Sequence, residues 1–413
     1  MISYKEHTLA NGLQVIVNQE ECSAMAAVNL LYRVGSRDES PERTGFAHLF
    51  EHLMFRGTKA VPDFDGPVQE VCGENNAFTT ADYTNFYITT PKDNFETALW
   101  LEADRMMGLE ITPEKLALEK SVVVEEFNQR FLNRPYGEQW HTLRSMVYKE
   151  HPYRWPVIGL TPNHIRNASE EDVRAFYDKF YTPANAILSV SAALPAERIF
   201  EAAERYFGSL ACTPAPERPS YPQEPRITSP RRHTIEANVP ADQITIAFIM
   251  EERGERGYYI CDLLTDLLAG GESARIYQNL VRQRQAFSAA NAYITGESDR
   301  GMLILTGQIT PGVTVEEAEE ALYGELERLV REPVGEYELR KVQNKFEANI
   351  TFGELNVMNK AMNLGYYKML GDMSLLNGEV EIYRSISAEE IAAYIQAHLT
   401  RNQSATLIYR SKR

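Results

Sequence analysis

Cys212-Thr-Pro-Ala-Pro-Glu-Arg-Pro-Ser-Tyr-Pro-Gln-Glu-Pro-Arg-Ile-Thr-Ser-Pro230 decides how the chain divides: six prolines fall within nineteen residues, and no hydrophobic period survives among them. The stretch reads as a linker near the middle of the chain, and what flanks it repeats. Before it, Ser169-Glu-Glu-Asp-Val173 opens a helix pattern that reaches Tyr181, followed by an apolar strand at 186–190. After it, Ser387-Ala-Glu-Glu-Ile391 opens a helix pattern that reaches Leu399, followed by a strand at 405–408. Both openings read as capping boxes, in which a serine and an acidic residue three positions on satisfy each other's backbone N–H groups. The serines are 387 − 169 = 218 positions apart and the strand leucines 407 − 188 = 219. A strand at 27–32 likewise has a counterpart at 244–250. The expected class is α+β, with two similar domains from an internal duplication, each a largely antiparallel sheet packed with helices. The expected boundaries are 1–211, a linker at 212–232, and 233–413.

Length agrees with two domains, because 413 residues exceed the roughly 250–300 at which a single core stops growing. Hydrophobic residues at 44% and charged residues at 24% are ordinary globular values, so the chain is expected to fold throughout. With 42 Lys and Arg against 58 Asp and Glu, the net charge of −16 opposes a phosphate backbone or an anionic membrane; no nucleic acid and no membrane span are expected. Cys22, Cys72, Cys212 and Cys261 form no Cys-x-x-Cys pair, which argues against a thiolate metal site and a disulfide framework. The start, Met-Ile-Ser-Tyr-Lys-Glu-His, has no basic and apolar leader pattern. The location read from it is cytoplasmic, and the same start fits a periplasmic chain from which a signal peptide was removed.

Chemistry concentrates in Gly45-Phe-Ala-His48-Leu-Phe-Glu51-His52-Leu-Met-Phe55. At helical spacing His48 and His52 project from one face a turn apart, which suits two imidazoles meeting one zinc ion. Glu51 is placed to reach a water on that metal without ligating it. Phe46, Leu49, Phe50, Leu53 and Phe55 make the helix too apolar for an open surface. A catalytic zinc needs a third protein ligand. In the segment from Thr112-Pro-Glu to Glu125-Glu126-Phe127, Glu119 and Glu126 lie seven residues apart and point the same way, two turns apart. Glu126 is the candidate ligand and Glu119 a partner for a ligand histidine from the shell behind it. Glu125 points aside.

These residues resemble the inverted-motif zinc peptidases that include pitrilysin, insulin-degrading enzyme and mitochondrial processing peptidase, over most of the chain. The size is that of a bacterial-type subunit with a single pair of repeats. The resemblance implies a zinc metalloendopeptidase in which a His-x-x-Glu-His helix is completed by the second glutamate of a Glu-x6-Glu pair, matched at His48, Glu51, His52, Glu119 and Glu126. It implies metal-activated water with Glu51 as general base, and short or unfolded peptides as substrate. Gly73-Glu-Asn-Asn76-Ala77-Phe78-Thr79 resembles the family's edge strand, which implies that an extended peptide pairs there, with Asn76 holding a substrate carbonyl and Phe78 lining a side-chain pocket beside Ala77.

The second half departs from the first. The repeat offset sets Lys345 against Glu126, and 262–271 contains no histidine, so one Zn2+ per chain is expected. The family's second domain also supplies an Arg and a Tyr. Comparison of Gly270-Gly-Glu-Ser-Ala-Arg275-Ile-Tyr277 with the family's pattern puts Val281 and Ser288 at those places. Either a homologous partner subunit supplies the pair, as a heterodimer or a homodimer would allow, or a register shift lets Arg282 or Arg284 serve. The alternative is a zinc-bound chain that is weakly active, or a non-catalytic peptide-binding or scaffold subunit. Gly270-Gly271 lacks the spacing of a phosphate loop. His151, Tyr153 and Trp155 read as loop packing.

Overall fold

Two sheets repeat one another strand for strand. In the computed structural model, which describes residues 1–218 and 220–412, the first holds β1 (Lys5–Thr8), β2 (Gln14–Gln19), β3 (Met25–Tyr32), β4 (Glu74–Thr79), β5 (Thr84–Pro91) and β6 (Ala186–Ala192), ordered β1-β2-β6-β3-β5-β4. The second holds β7 (Arg231–Ala237), β8 (Gln243–Ile249), β9 (Phe287–Ile294), β10 (Met302–Ile309) and β11 (Ser404–Ser411), ordered β7-β11-β8-β10-β9. Leaving β1 aside, the orders coincide and so do the directions. The β2–β6 and β7–β11 pairs are parallel, and every other pair is antiparallel. The α+β class and the duplicated, largely antiparallel sheets are those the sequence implies. Both capping boxes form, at Ser169 with Asp172 and at Ser387 with Glu390. Residues 212–218 and 220–230 contain no helix or strand, whereas Arg231 and Arg232, read as the end of the linker, already belong to β7; Pro219 lies outside the described residues.

The chain packs as two compact units, Met1–Phe127 with Trp155–Ser220 and Ile350–Asn377, and Asn128–Arg154 with Tyr221–Asn349 and Gly378–Arg413. Each unit therefore includes a segment from the other half of the sequence. In the first, Val28, Leu30 and Tyr32 of β3 point into a core built with helices Phe46–Leu53, Phe95–Met107 and Ala196–Phe207. The alternate residues face the other way, as strand geometry requires, and the helix Val357–Leu370 covers them. That face is partly polar: Asn85 Nδ2 donates to Asn29 Oδ1 at 2.7 Å, Asn29 Nδ2 to Ser189 Oγ at 3.1 Å, and Ser189 Oγ to Ala361 O at 2.7 Å. Gly365 keeps the helix close, since a Cβ there would sit 3.0 Å from Ser189 Oγ. In the second unit the helix Gln139–Val147 packs on β8 and β11. The two covering helices start 357 − 139 = 218 residues apart, which is the repeat offset again. Among the described residues no helix is long and apolar enough to cross a membrane.

The helix Phe46–Leu53 is only eight residues long, too short to stand on its own in water. Phe46, Leu49, Phe50 and Leu53 bury one face, and Phe50 stacks on Phe176 with ring centroids 5.5 Å apart. Its N-terminus is set by Gly45 at φ +91°, where an added Cβ would meet Ile158 O at 2.7 Å. The buried Glu39 carboxylate accepts from Gly45 N at 2.8 Å and Ala47 N at 2.9 Å, satisfying donors that a helix start leaves without partners. Gly45→Ala is expected to cost about 1–3 kcal/mol through backbone strain, read as a lower thermal midpoint together with reduced zinc uptake by the folded chain.

Candidate metal centre

His48 and His52 leave the buried helix on its open side, with ring centroids 4.9 Å apart. Glu126 comes to them from the helix Pro113–Phe127: its Oε2 lies 3.6 Å from His48 Nε2 and 3.4 Å from His52 Nε2. Ligand atoms of the three residues all lie within 4.8 Å of one another. Two ligands about 2.1 Å from a tetrahedral ion stand about 3.4 Å apart, so the two Glu126 spacings suit zinc. The donor set, two imidazoles and one carboxylate, also suits a zinc that keeps a position for water.

Glu119 is buried, and its Oε2 lies 3.4 Å from His52 Nδ1, on the side of the ring away from Glu126. Its Oε1 is ion-paired to Arg56. Burial acts to raise the Glu119 pKa, but the His52 hydrogen bond and the Arg56 charge outweigh it and hold the carboxyl below its usual range. Burial acts to lower His52, yet the hydrogen bonds and charges of Glu119 and Glu126 raise it to about 9. A metal ion held at the site would displace the proton that these two carboxylates favour on His52. Glu51 sits beside the histidines and accepts a 2.6 Å hydrogen bond from Thr79 Oγ1.

Thr79 ends β4, which among the described residues pairs with β5 alone and forms one edge of the first sheet. Asn76, Ala77 and Phe78 thus lie on that edge strand. Asn76 is exposed and its Oδ1 accepts from Ala77 N at 2.8 Å; Ala77 packs against the core; Phe78 meets Tyr83 edge to face at 5.8 Å. Glu125 is exposed. Trp155 is buried and donates to Ser36 O at 2.7 Å, while His151 lies 3.2 Å from Asp299 Oδ2.

Three contributors went unread in the sequence: Thr79, Arg56 and Glu39. Arg56 follows His52 by four residues, a spacing that a helix reading could have used, and Thr79 belongs to the quoted edge-strand segment. Glu39 left no local signal, because it reaches the helix start from outside. In the second unit, the offsets that carry His48 to Asp266 and Glu126 to Lys345 mark an ion pair: Lys345 Nζ lies 2.9 Å from Asp266 Oδ1 and 3.5 Å from Gly270 O. There a solvent-exposed lysine of the chain itself stands at the position equivalent to Glu126.

A duplicated α+β fold with one two-histidine, one-glutamate cluster and a further glutamate beside it defines the inverted-motif metallopeptidase class. The family model described as Insulinase (Peptidase family M16) matches residues 14–153, and that described as Peptidase M16 inactive domain matches residues 167–346. The chain belongs to peptidase family M16, a family of zinc metallopeptidases. It is 27% identical over 405 residues to the zinc protease PqqE of Helicobacter pylori, covering 97% of this chain and 91% of that one. The crystal structure of a protease from Helicobacter pylori superposes with a TM-score of 0.94 at 25% identity, covering 99% of this chain and 100% of that one. A peptidase M16 inactive domain from Pseudomonas fluorescens has the same fold, with a TM-score of 0.89 at 16% identity over 100% of this chain and 98% of that one.

Glu119→Gln is expected to weaken zinc binding by about 10- to 100-fold, the usual effect of losing a carboxylate behind a ligand histidine. Competition with a chromogenic chelator reads it, and an unchanged affinity would remove Glu119 from the site.

Proposed function

We propose that this chain is the zinc-binding catalytic subunit of an endopeptidase that hydrolyses short or unfolded peptides. The observation that carries the reading is the convergence of His48, His52 and Glu126, with Glu51 alongside. In this reading the three converging residues hold one zinc per chain, and Glu119 orients His52. When bound, zinc supplies an electrophile that polarises the scissile carbonyl and lowers the pKa of a coordinated water from about 15.7 toward 7. Glu51 would take a proton from the attacking water at its carboxylate and pass it to the leaving amine, acting as base and then as acid. The free side of β4 aligns the peptide by main-chain pairing, Asn76 turns to a substrate carbonyl, and Phe78 with Ala77 borders a side-chain subsite.

Val281, in the helical segment Ile276–Gln283, and Ser288, on β9, stand at the positions where gapless comparison with the family's pattern implies an Arg and a Tyr, unless a register shift lets Arg282 or Arg284 serve. We assign those groups to a homologous partner subunit, in a heterodimer or a homodimer. The same absence favours a second reading, a zinc-bound chain that presents peptides with little turnover. Glu51→Gln is expected to keep its zinc and to lose about 10²- to 10⁴-fold in hydrolysis of a quenched fluorescent peptide. Chelation should abolish the wild-type rate and added zinc restore it. Full activity of Glu51→Gln would refute the role of Glu51, and a zinc-loaded wild type that is inactive with and without candidate partners would favour the second reading.

A further inference from the structure

The proposed base is held by the strand proposed to hold the substrate. Thr79 Oγ1 lies 2.6 Å from Glu51 Oε2, within the range of a hydroxyl donating to an ionised carboxylate. Among the described contacts this bond stands apart from the packing that fixes the helix Phe46–Leu53, since it acts on the far end of the Glu51 side chain. Thr79 is a rigid platform for it. It is β-branched, which restricts its first torsion, and it is paired with Thr84 at the closed end of the β4–β5 hairpin.

The hairpin tip is itself fixed. Thr80 Oγ1 accepts from Asp82 N at 3.1 Å and Tyr83 N at 3.0 Å, and Thr80 N donates to Tyr83 O at 2.9 Å. Ser36 N and Arg37 N donate to Thr80 O and Ala81 O at 3.2 and 3.0 Å, and Arg37 is ion-paired to Asp82 at 2.8 Å. Gly35 permits this approach, because a Cβ there would lie 2.4 Å from Ala81 O. A terminal carboxylate torsion is otherwise broad and roughly two-fold. A donor on so fixed a tip favours one orientation of the carboxylate.

We propose that Thr79 is a positioning residue for Glu51: its hydroxyl holds the carboxylate at Oε2, so that one strand sets both the base and the peptide. This rests on Glu51 acting as the base. The geometric consequence is that peptide register along β4 and the aim of the base change together. Misaiming a base affects the chemical step, whereas main-chain pairing along the strand is untouched.

The test compares wild type, Thr79→Val, Thr79→Ser and Glu51→Gln as zinc-loaded protein, with the partner subunit present if activity needs it. Thr79→Val, which keeps the branched shape, is expected to retain zinc and KM and to lose about 10- to 100-fold in kcat, the effect of one lost hydrogen bond to a charged group. Thr79→Ser should restore most of the rate. Difference infrared spectra of wild type against Thr79→Val should show a displaced carboxylate stretch that vanishes when both chains also carry Glu51→Gln, a readout that needs no turnover. An unmoved band, or an unchanged kcat in Thr79→Val, would overturn the assignment while Glu51→Gln stays inactive. Loss of zinc or of fold in Thr79→Val would overturn it too, since the hydroxyl would then support the structure. Activity in Glu51→Gln would instead strike the reading on which it rests.

Discussion

Everything at the site depends on keeping one short helix in one orientation. Helix formation has a costly nucleus, and eight residues lie below the length at which a chain holds a helix unaided. His48 and His52 can share an ion only while that single turn persists. The sequence supplies the missing stability from outside the helix: the Phe46, Leu49, Phe50 and Leu53 face is buried, and Glu39 closes the N-terminus with both carboxylate oxygens. Burial pushes the Glu39 carboxyl well above its ordinary range, and the Ala47 and Gly45 N–H groups pull against that shift. A buried acid is therefore used where an ordinary N-cap would be a serine or aspartate, because the left-handed Gly45 at the cap has no side chain to offer.

Charge is the second constraint. Glu119 and Glu126 both reach the His52 ring, one at each nitrogen, and ionising both in the absence of cations would be unfavourable. Arg56 and the His52 proton answer part of that in the metal-free chain, and the answer is asymmetric, since Arg56 reaches Glu119 alone. The repeated half resolves the same problem without an ion. There the position equivalent to Glu126 is Lys345, whose ammonium meets Asp266 and the Gly270 carbonyl. A lysine removes both the excess negative charge and the need for a ligand set, which is a physical reason for one half to keep a metal-binding cluster and the other to lack it.

The duplication was legible because capping boxes and strand leucines are local signals with a fixed offset. Strand order was not, since nothing in a strand's own sequence says that β6 will insert between β2 and β3. Nor was the exchange by which Gln139–Val147 and Val357–Leu370 each cover a sheet from the other half. Their residues fix an amphipathic helix, while the choice of sheet is made by tertiary complements such as Ser189 against Ala361 O and the close approach at Gly365. At the site the contrast is similar. His48, Glu51, His52, Glu119 and Glu126 could be read because helical spacing places them, whereas Glu39 and Thr79 act across the fold and have no period to betray them.

The edge strands show how an open sheet margin can be kept available without inviting association. β4 and β9 hold equivalent places at the ends of the two sheets, and each has an Asn-Ala pair in which the Asn Oδ1 accepts from the next backbone N–H: Asn76 to Ala77 and Asn291 to Ala292, both at 2.8 Å. An unpaired N–H on an exposed edge is a template for another chain. Satisfying it with the strand's own side chain blunts that template reversibly, unlike a proline, which would remove the donor, or a bulge, which would bend the strand away. On the proposed reading, a peptide entering at β4 must first take Ala77 N–H from Asn76. The displaced amide is then beside the incoming backbone, where its carbonyls need partners.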